Sequence, residues 1–380
     1  MFSINSERLV NEFLELVQID SETKFESEIA KVLKNKFTEL GLEVIEDEAK
    51  EKTGHEANNL ICNLKGNSNE ADPIFFTAHM DTVTPGKNVK PIIEENYITS
   101  DGTTILGADD KAGIAVILET IRTLKENNMK HGDLQFVITV GEESGLVGAK
   151  ALDTSLLKAK FGYALDSDGD IGSLIVSAPY QAKVTAKVYG KSAHAGVEPE
   201  KGISAITVAA KALSQMKLGR IDEETTANIG YFHGGKISQT NVVVDYVEIV
   251  GEARSLTKEK LEKVTSEMER SFNNIAEKYG GSAQVDIKEM YPGFQLHKDD
   301  KVVQIAQQTA EQLGFTSKLL NSGGGSDANI FNSYGIPTAN LAVGYEYIHT
   351  TKERIKIDRL VDLTKFVIGI IQNVANNGKI

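Results

Sequence analysis

Ile74-Phe75-Phe76-Thr77-Ala78-His79-Met80-Asp81 is an apolar run that stops abruptly at a histidine and an acid. Two other runs have the same form. Leu134-Gln135-Phe136-Val137-Ile138-Thr139-Val140 leads into Gly141-Glu142-Glu143, and Tyr163-Ala164-Leu165 leads into Asp166. Between them, Ala112 to Leu124 reads as a helix. Near-continuous apolar strands alternating with helices indicate an α/β sheet covered on both faces. Ligands of such sheets bind beyond the carboxyl ends of the strands, where His79, Glu143 and Asp166 stand.

Upstream, Leu9, Phe13, Leu14 and Val17 recur at helical spacing, as do Ile29, Val32, Leu33 and Phe37. Gly41 is placed to close the second helix. The start, Met1-Phe2-Ser3-Ile4-Asn5-Ser6-Glu7-Arg8, reads as the opening of an amphipathic helix and not as a secretion signal.

Downstream the pattern changes between Gln181 and Met290. Val184, Ala186 and Val188 alternate with polar residues, and Ile203 to Met216 reads as a helix. Asn228 to Phe232 and Val242 to Gly251 alternate again. Leu261, Val264, Met268 and Phe272 mark a helix, and Ala283 to Ile287 a last strand. The order β-α-β-β-α-β predicts a ferredoxin-like α+β domain. Pro179 and Pro292 flank it, and the α/β pattern resumes near Val302 to Leu313. The expected organisation is one α/β domain from 1–179 and 292–380, interrupted by an inserted domain at 180–291.

A chain of 380 residues is long enough for two domains. Its 41% apolar and 25% charged residues are those of an ordinary globular protein. A net charge of −13 argues against nucleic acid or an anionic membrane surface as partner. No apolar run approaches a membrane span, and a cytoplasmic protein is the expectation. Cys62 is the single cysteine, so no intrachain disulfide can form and any metal must use N and O ligands. Its setting, Leu60-Ile61-Cys62-Asn63-Leu64, predicts a packed strand residue.

Each polar segment has a bland reading and a chemical one. His79 and Asp81 leave the same face of an extended segment, as a surface pair or as a metal ligand with the acid behind it. Asp109-Asp110 opens a helix, as a cap or as a carboxylate bridging two cations. Glu142-Glu143 is a charged loop, or, with its side chains on opposite sides of an extended backbone, one ligand and one base. Asp166-Ser167-Asp168-Gly169-Asp170 begins like a calcium loop, but Ser177 stands where the twelfth-position glutamate belongs. His349 alone is a loop histidine. All five segments end strands or open helices on one expected edge, and two histidines with several carboxylates suit a pair of zinc-like cations.

These motifs in order, His-x-Asp, Gly-x-Asp-Asp-Lys, Glu-Glu, Asp and His-x-x-x-Glu, resemble the dinuclear zinc peptidases that include peptidase T, carboxypeptidase G, succinyl-diaminopimelate desuccinylase and the aminoacylases. Leu106-Gly107-Ala108-Asp109-Asp110-Lys111-Ala112-Gly113 and Lys87-Asn88-Val89 look most like the peptidase T branch. The resemblance covers essentially the whole chain. It implies a three-layer α/β/α, zinc-exopeptidase-like catalytic domain whose insert is a lid and dimerisation domain. It also implies two divalent ions, zinc first, with cobalt or manganese as alternatives. His79 and Asp166 would hold one ion, Glu143 and His349 the other, and Asp109 both, with Asp110 the second choice. Glu142 would be the general base toward a water activated by the ions, and Asp81 the partner of His79. A non-proline cis peptide is implied at Asp109–Asp110.

In the insert, Ser192-Ala193-His194-Ala195-Gly196 resembles the segment whose histidine stabilises the oxyanion, often from a partner subunit; a homodimer is therefore expected. Asn241, Arg254, Gly324, Gly325 and Ser326 match positions that hold the substrate's backbone or carboxylate. Backbone N–H groups in the Gly323–Asp327 loop would suit an anion, while Arg254 could instead pair with an acid of the insert. The chain departs from peptidase T at Ser255, where that branch has Asp, and in Gly-Gly-Ser-Asp for Gly-Gly-Thr-Asp. The implied activity is release of N-terminal residues from tripeptides. The alternatives are an N-acyl-amino-acid amidohydrolase and, from another class, a metal-stabilised binding protein without turnover.

Overall fold

Leu9, Val10, Phe13, Leu16 and Val17 bury one stripe of α1 (Ser6–Val17), which Asn5 caps by accepting the Arg8 amide. Ile29, Leu33 and Phe37 do the same for α2 (Ser27–Glu39). Gly41 follows it at φ 77° and closes the turn, a conformation that costs glycine little. The computed structural model describes residues 3–377, so Met1 and Phe2 of the predicted helix opening lie outside the described residues.

The predicted strands form the middle of the larger sheet. Strands β1 (Glu43–Glu46), β2 (Leu60–Leu64), β3 (Ile74–His79), β4 (Leu134–Thr139), β5 (Phe161–Ser167), β6 (Ser173–Ala178) and β7 (Thr338–Ala342) lie in the order β1-β2-β4-β3-β5-β7-β6. The neighbours β4, β3, β5 and β7 run parallel, so their carboxyl ends share one edge. Every residue of β3 and β4 is buried, which explains why these strands read as unbroken apolar runs. Successive side chains serve opposite faces. Phe75 meets Phe331 at 4.7 Å, whereas Phe76 stacks with Phe136 and Tyr163 at 6.2 and 5.6 Å.

Helix α3 (Ala108–Glu126) is buried along nearly its whole length and packs on β3 and β5. Helices α4 (Lys301–Leu313), α5 (Asp327–Ser333) and α6 (Ile357–Asn377) complete the layers. Cys62 is fully buried in β2, and burial pushes its thiol well above the usual range. The result is the expected α/β/α architecture.

Internal contacts divide the chain into two units. The first comprises Met1–Val176, Leu296–Ser322 and Ser326–Ile380; the second comprises Ser177–Gln295 and Gly323–Gly325. In the second, strands Thr225–Gly234, Tyr246–Ser255, Tyr180–Tyr189 and Ser282–Tyr291 lie side by side in that order, all antiparallel. With helices Ala205–Leu213 and Lys258–Lys278 this is the β-α-β-β-α-β order of a ferredoxin-like sheet. Ala186, Val188, Val208, Val247 and Phe272 form part of its core.

Two of the bounds that differ from the sequence reading have a visible cause. The strand predicted at Val242–Gly251 runs from Tyr246 to Ser255, because Val242 and Val243 pair instead with the His194 segment. The helix predicted from Ile203 starts at Ala205 under a Ser204 cap, since Ile203 is tied to Lys191. Among the described residues, no helix is long and apolar enough to cross a membrane.

Candidate active site

The site lies in the first unit, where β3, β4 and β5 end. His79 is the last residue of β3, Asp166 is near the end of β5, and Glu142 and Glu143 follow β4. Asp109 sits at the start of α3 and His349 in the loop after Tyr345–Glu346. Asp109 is central. Its Oδ1 lies 3.1 Å from His79 Nε2 and its Oδ2 lies 3.2 Å from His349 Nε2. Asp166 Oδ1 is 3.9 Å from His79 Nε2, and Glu143 Oε1 is 2.9 Å from His349 Nε2. Two three-residue ligand groups result, His79–Asp109–Asp166 and Asp109–Glu143–His349, joined by one carboxylate. Glu142 forms a third possible group with His79 and Glu143.

This donor set fits a pair of divalent cations. Each group offers one imidazole nitrogen and carboxylate oxygens within 4.8 Å of one another, and the buried negative charge exceeds what two histidines can balance.

The supporting contacts give the remaining acids separate tasks. His79 Nδ1 is 2.9 Å from the Asp81 carbonyl oxygen and 3.4 Å from its carboxylate, so Asp81 faces the histidine mainly through its backbone. Its carboxylate instead accepts the Glu142 and Glu143 amides at 3.0 and 3.2 Å. Asp110 accepts the His79 and Gly113 amides, each at 3.2 Å, and stands outside the ligand groups. The Asp109–Asp110 peptide is cis, as expected.

Glu142 and Glu143 do not lie on an extended backbone. The Glu142 carbonyl accepts from Gly145 and Leu146 at 3.0 and 2.8 Å, closing a turn. In place of the predicted strand alternation, the turn brings an oxygen of each carboxylate within 4.8 Å of the other and of a His79 nitrogen. Asp168 enters no ligand group, and Asp170 pairs with Arg359 and Lys318, away from any calcium-loop role.

Three residues went unassigned in the sequence. Glu353 accepts the Leu106, Gly107 and Asp109 amides at 2.8, 2.7 and 3.0 Å and so holds the turn that carries Asp109. The glutamate of His-x-x-x-Glu was its only signal. Tyr345 donates to Asp166 Oδ1 at 3.0 Å. Asp327 is buried beside the cluster, with Thr139 donating to one oxygen. The acid of Gly-Gly-Ser-Asp was the one signal for Asp327, whereas no local pattern marks Tyr345.

The electrostatics follow from burial and crowding. Burial alone would raise Asp109, but hydrogen bonds from His349 and His79 outweigh it and hold Asp109 below the usual carboxylate range. Burial, then repulsion from Asp166, pushes Glu142 well above its usual value. Burial likewise raises Asp166, with Asp109 adding to it, and raises Glu143 against the easing contact of His349. Asp327 is pushed up to about 6 and Glu353 to about 7, both mainly by burial. The Asp109 and Glu143 contacts hold His349 up at about 10. A raised carboxyl is one that can take and return a proton near neutral pH.

The remaining predicted residues belong to the second unit, apart from Ser326. His194 is exposed, with its Nδ1 accepting the Gly196 amide at 3.2 Å. Asn241 is exposed too, and its carbonyl accepts the Ala195 amide at 2.8 Å, so these two segments run side by side. Arg254 is bound by both oxygens of Glu252 at 2.9 and 3.2 Å and reaches the Gly323 carbonyl at 3.3 Å, which realises its alternative pairing with an acid of the insert. A Cβ at Gly325 would meet the Tyr291 ring at 2.5 Å, so glycine is required there for close packing. Ser326, in the first unit, is a correction. It is buried as the N-cap of α5, its hydroxyl committed to the capping box and to Asn340.

The model of peptidase family M20/M25/M40 matches residues 75–373. Aminopeptidase PepT from Bacillus cereus is 59% identical, with a TM-score of 0.92 over 98% of this chain and 99% of that one. A tripeptidase from Staphylococcus aureus is 52% identical, with a TM-score of 0.95 over the same shares. Peptidase T from Geobacillus is 28% identical over 96% of this chain and 98% of its own length. A family match spanning most of the chain, over a site built at the ends of parallel strands, settles the assignment: this chain belongs to peptidase family M20/M25/M40 and is an enzyme of the peptidase class.

Proposed function

We propose that the chain is a two-cation aminopeptidase that releases N-terminal residues from tripeptides and similar short peptides. The observation that carries this reading is Asp109, which turns one oxygen toward each of two histidines. His79 and Asp166 would hold one ion, Glu143 and His349 the other, with Asp109 shared. Zinc suits the nitrogen and oxygen donors, as do cobalt and manganese. When bound, such ions lower the pKa of water and polarise a carbonyl.

The rest is work for the chain's own side chains. Glu142 is buried and raised above the usual carboxyl range, which matches a group that removes a proton from water and returns it to the leaving amine. Asp81 positions Glu142 by gripping its amide and that of Glu143. His194 would donate to the carbonyl oxygen as charge develops there, from its own subunit or from a partner in a homodimer. Asn241, Arg254, Gly324 and Gly325 would hold the ends of the peptide. The choice of tripeptides rests on similarity to the Bacillus cereus and Staphylococcus aureus enzymes.

Two measurements test the reading. Glu142→Ala should retain the metal content of the parent and lose roughly 10²–10⁴-fold in turnover. Unchanged turnover removes Glu142 as the base. Free tripeptides, N-blocked tripeptides and N-acetyl amino acids assayed side by side should show hydrolysis of the free tripeptides first. Equal rates on N-blocked peptides would sink the aminopeptidase reading, and preference for the acetylated amino acids would favour an amidohydrolase.

A further inference from the structure

Behind the turn that carries Glu142 stands a second hydrogen-bonded set. Glu26 Oε1 is 2.6 Å from His55 Nδ1, and His55 Nε2 is 3.2 Å from Ser144 Oγ. Glu26 and His55 are buried, and the Lys24 amide holds the same Glu26 oxygen at 2.9 Å. An acid, an imidazole and a serine in this sequence have the outline of a nucleophilic triad, but the surroundings exclude that chemistry. Ser144 Oγ donates to the Gly141 carbonyl at 3.1 Å. The next two amides, Gly145 and Leu146, both donate to the Glu142 carbonyl and leave no oxyanion hole beside the serine.

The set is instead aimed at the turn. The His55 ring lies so close to Gly141 that a Cβ there would meet its Cε1 at 2.4 Å, and Gly141 itself has φ 59°. The residue before Glu142 is thus fixed from one side by the imidazole and Ser144. The amides of Glu142 and Glu143 are fixed separately by Asp81. A carboxylate that must meet a proton within a few tenths of an ångström depends on such supports.

We propose that Glu26, His55 and Ser144 are positioning residues that set the Glu142 carboxylate through the Gly141–Ser144 turn. The inference rests on reading Glu142 as the base. Removing an outer contact of this kind lowers activity by roughly 10–100-fold. Ser144→Ala and His55→Ala should therefore lower kcat by about tenfold or more, with KM and metal content close to those of the parent. Ser144→Thr, which keeps the hydroxyl, should restore kcat to within about threefold. In a Glu142→Ala background, His55→Ala should cost nothing more, because the carboxylate it positions is gone.

The proposal is overturned if Ser144→Ala and His55→Ala turn over within about twofold of the parent. It is equally overturned if His55→Ala multiplies the Glu142→Ala loss by its full single-variant factor, which marks a general structural role. Should His55→Ala fail to fold, the Ser144→Ala and Ser144→Thr pair decides. A Glu142→Ala enzyme with unchanged turnover removes the base reading and this inference with it. A dead Glu142→Ala enzyme beside undiminished Ser144 and His55 variants removes only this inference.

Discussion

The two units treat charge in opposite ways. In the first, Asp109, Asp110, Glu142 and Asp327 are buried together with His79, and most of these carboxyls are raised by burial and by one another. In the second, His194 and Asn241 are exposed, and pairs such as Lys260 with Glu224 stay at the surface. Crowding acids out of water is costly unless something compensates, so the first unit carries a stored demand for cations. The second carries none. Its ferredoxin-like sheet needs no ion, and its proposed contributions are contacts to substrate alone. On the proposed reading the labour is divided: the first unit would bind and use ions, and the second would supply contacts to substrate.

The strongest way to break that division is Asp109→Asn. The variant removes the shared carboxylate, and it should lose metal along with at least the roughly 10²–10⁴-fold expected for losing the base. Metal content by atomic emission, read beside turnover, checks it. Full metal content in Asp109→Asn would show that the two ligand groups do not depend on a shared residue.

His194→Ala sharpens the same contrast from the other unit. We expect kcat to fall by about 10²–10³-fold, the size of one lost oxyanion donor, while metal content stays at that of the parent. Loss of metal from His194→Ala would erase the distinction between the units.

The smallest effect is on pH. Without metal, Asp109 and Glu143 hold His349 charged up to about 10. A cation needs the bare Nε2, so binding releases a proton, and affinity must rise with pH while the pH is below that value. The expected slope is about one decade of affinity per pH unit for each proton released. Protonation of the raised Glu143 and Asp166 steepens the loss toward acid. Competition with a fluorescent chelator between pH 6 and 9 measures this; a flat profile would mean that His349 binds no ion.

Much of the site was legible because its signals are local. An apolar strand that stops at His79, at Glu142-Glu143 or near Asp166 announces a carboxyl end, and parallel pairing brings such ends together. The insert was legible for the same reason, since period-two and period-3.6 patterns alternate in the ferredoxin-like order. What escaped depends on partners far away in the chain. Glu353 reaches Asp109 across 244 positions and Asp327 reaches Thr139 across 188. Neither distance leaves a periodic trace. Ser326 was misplaced because a serine before a short helix serves equally as cap or ligand, and only its neighbours Asn329 and Asn340 decide.

The sequence by itself determined the α/β alternation and the buried strands, since these follow from side-chain type and spacing. It marked five polar segments at strand ends and helix starts, and only the family resemblance picked five prospective ligands among them. Tertiary structure alone decided their division of tasks. It set Asp109 between two imidazoles, turned Asp110 inward to two backbone amides, bent Glu142-Glu143 into a turn and placed His55 behind it. The physical reason is that a carboxylate's role depends on which donors surround it, and those donors come from strands and helices that only the folded chain brings together.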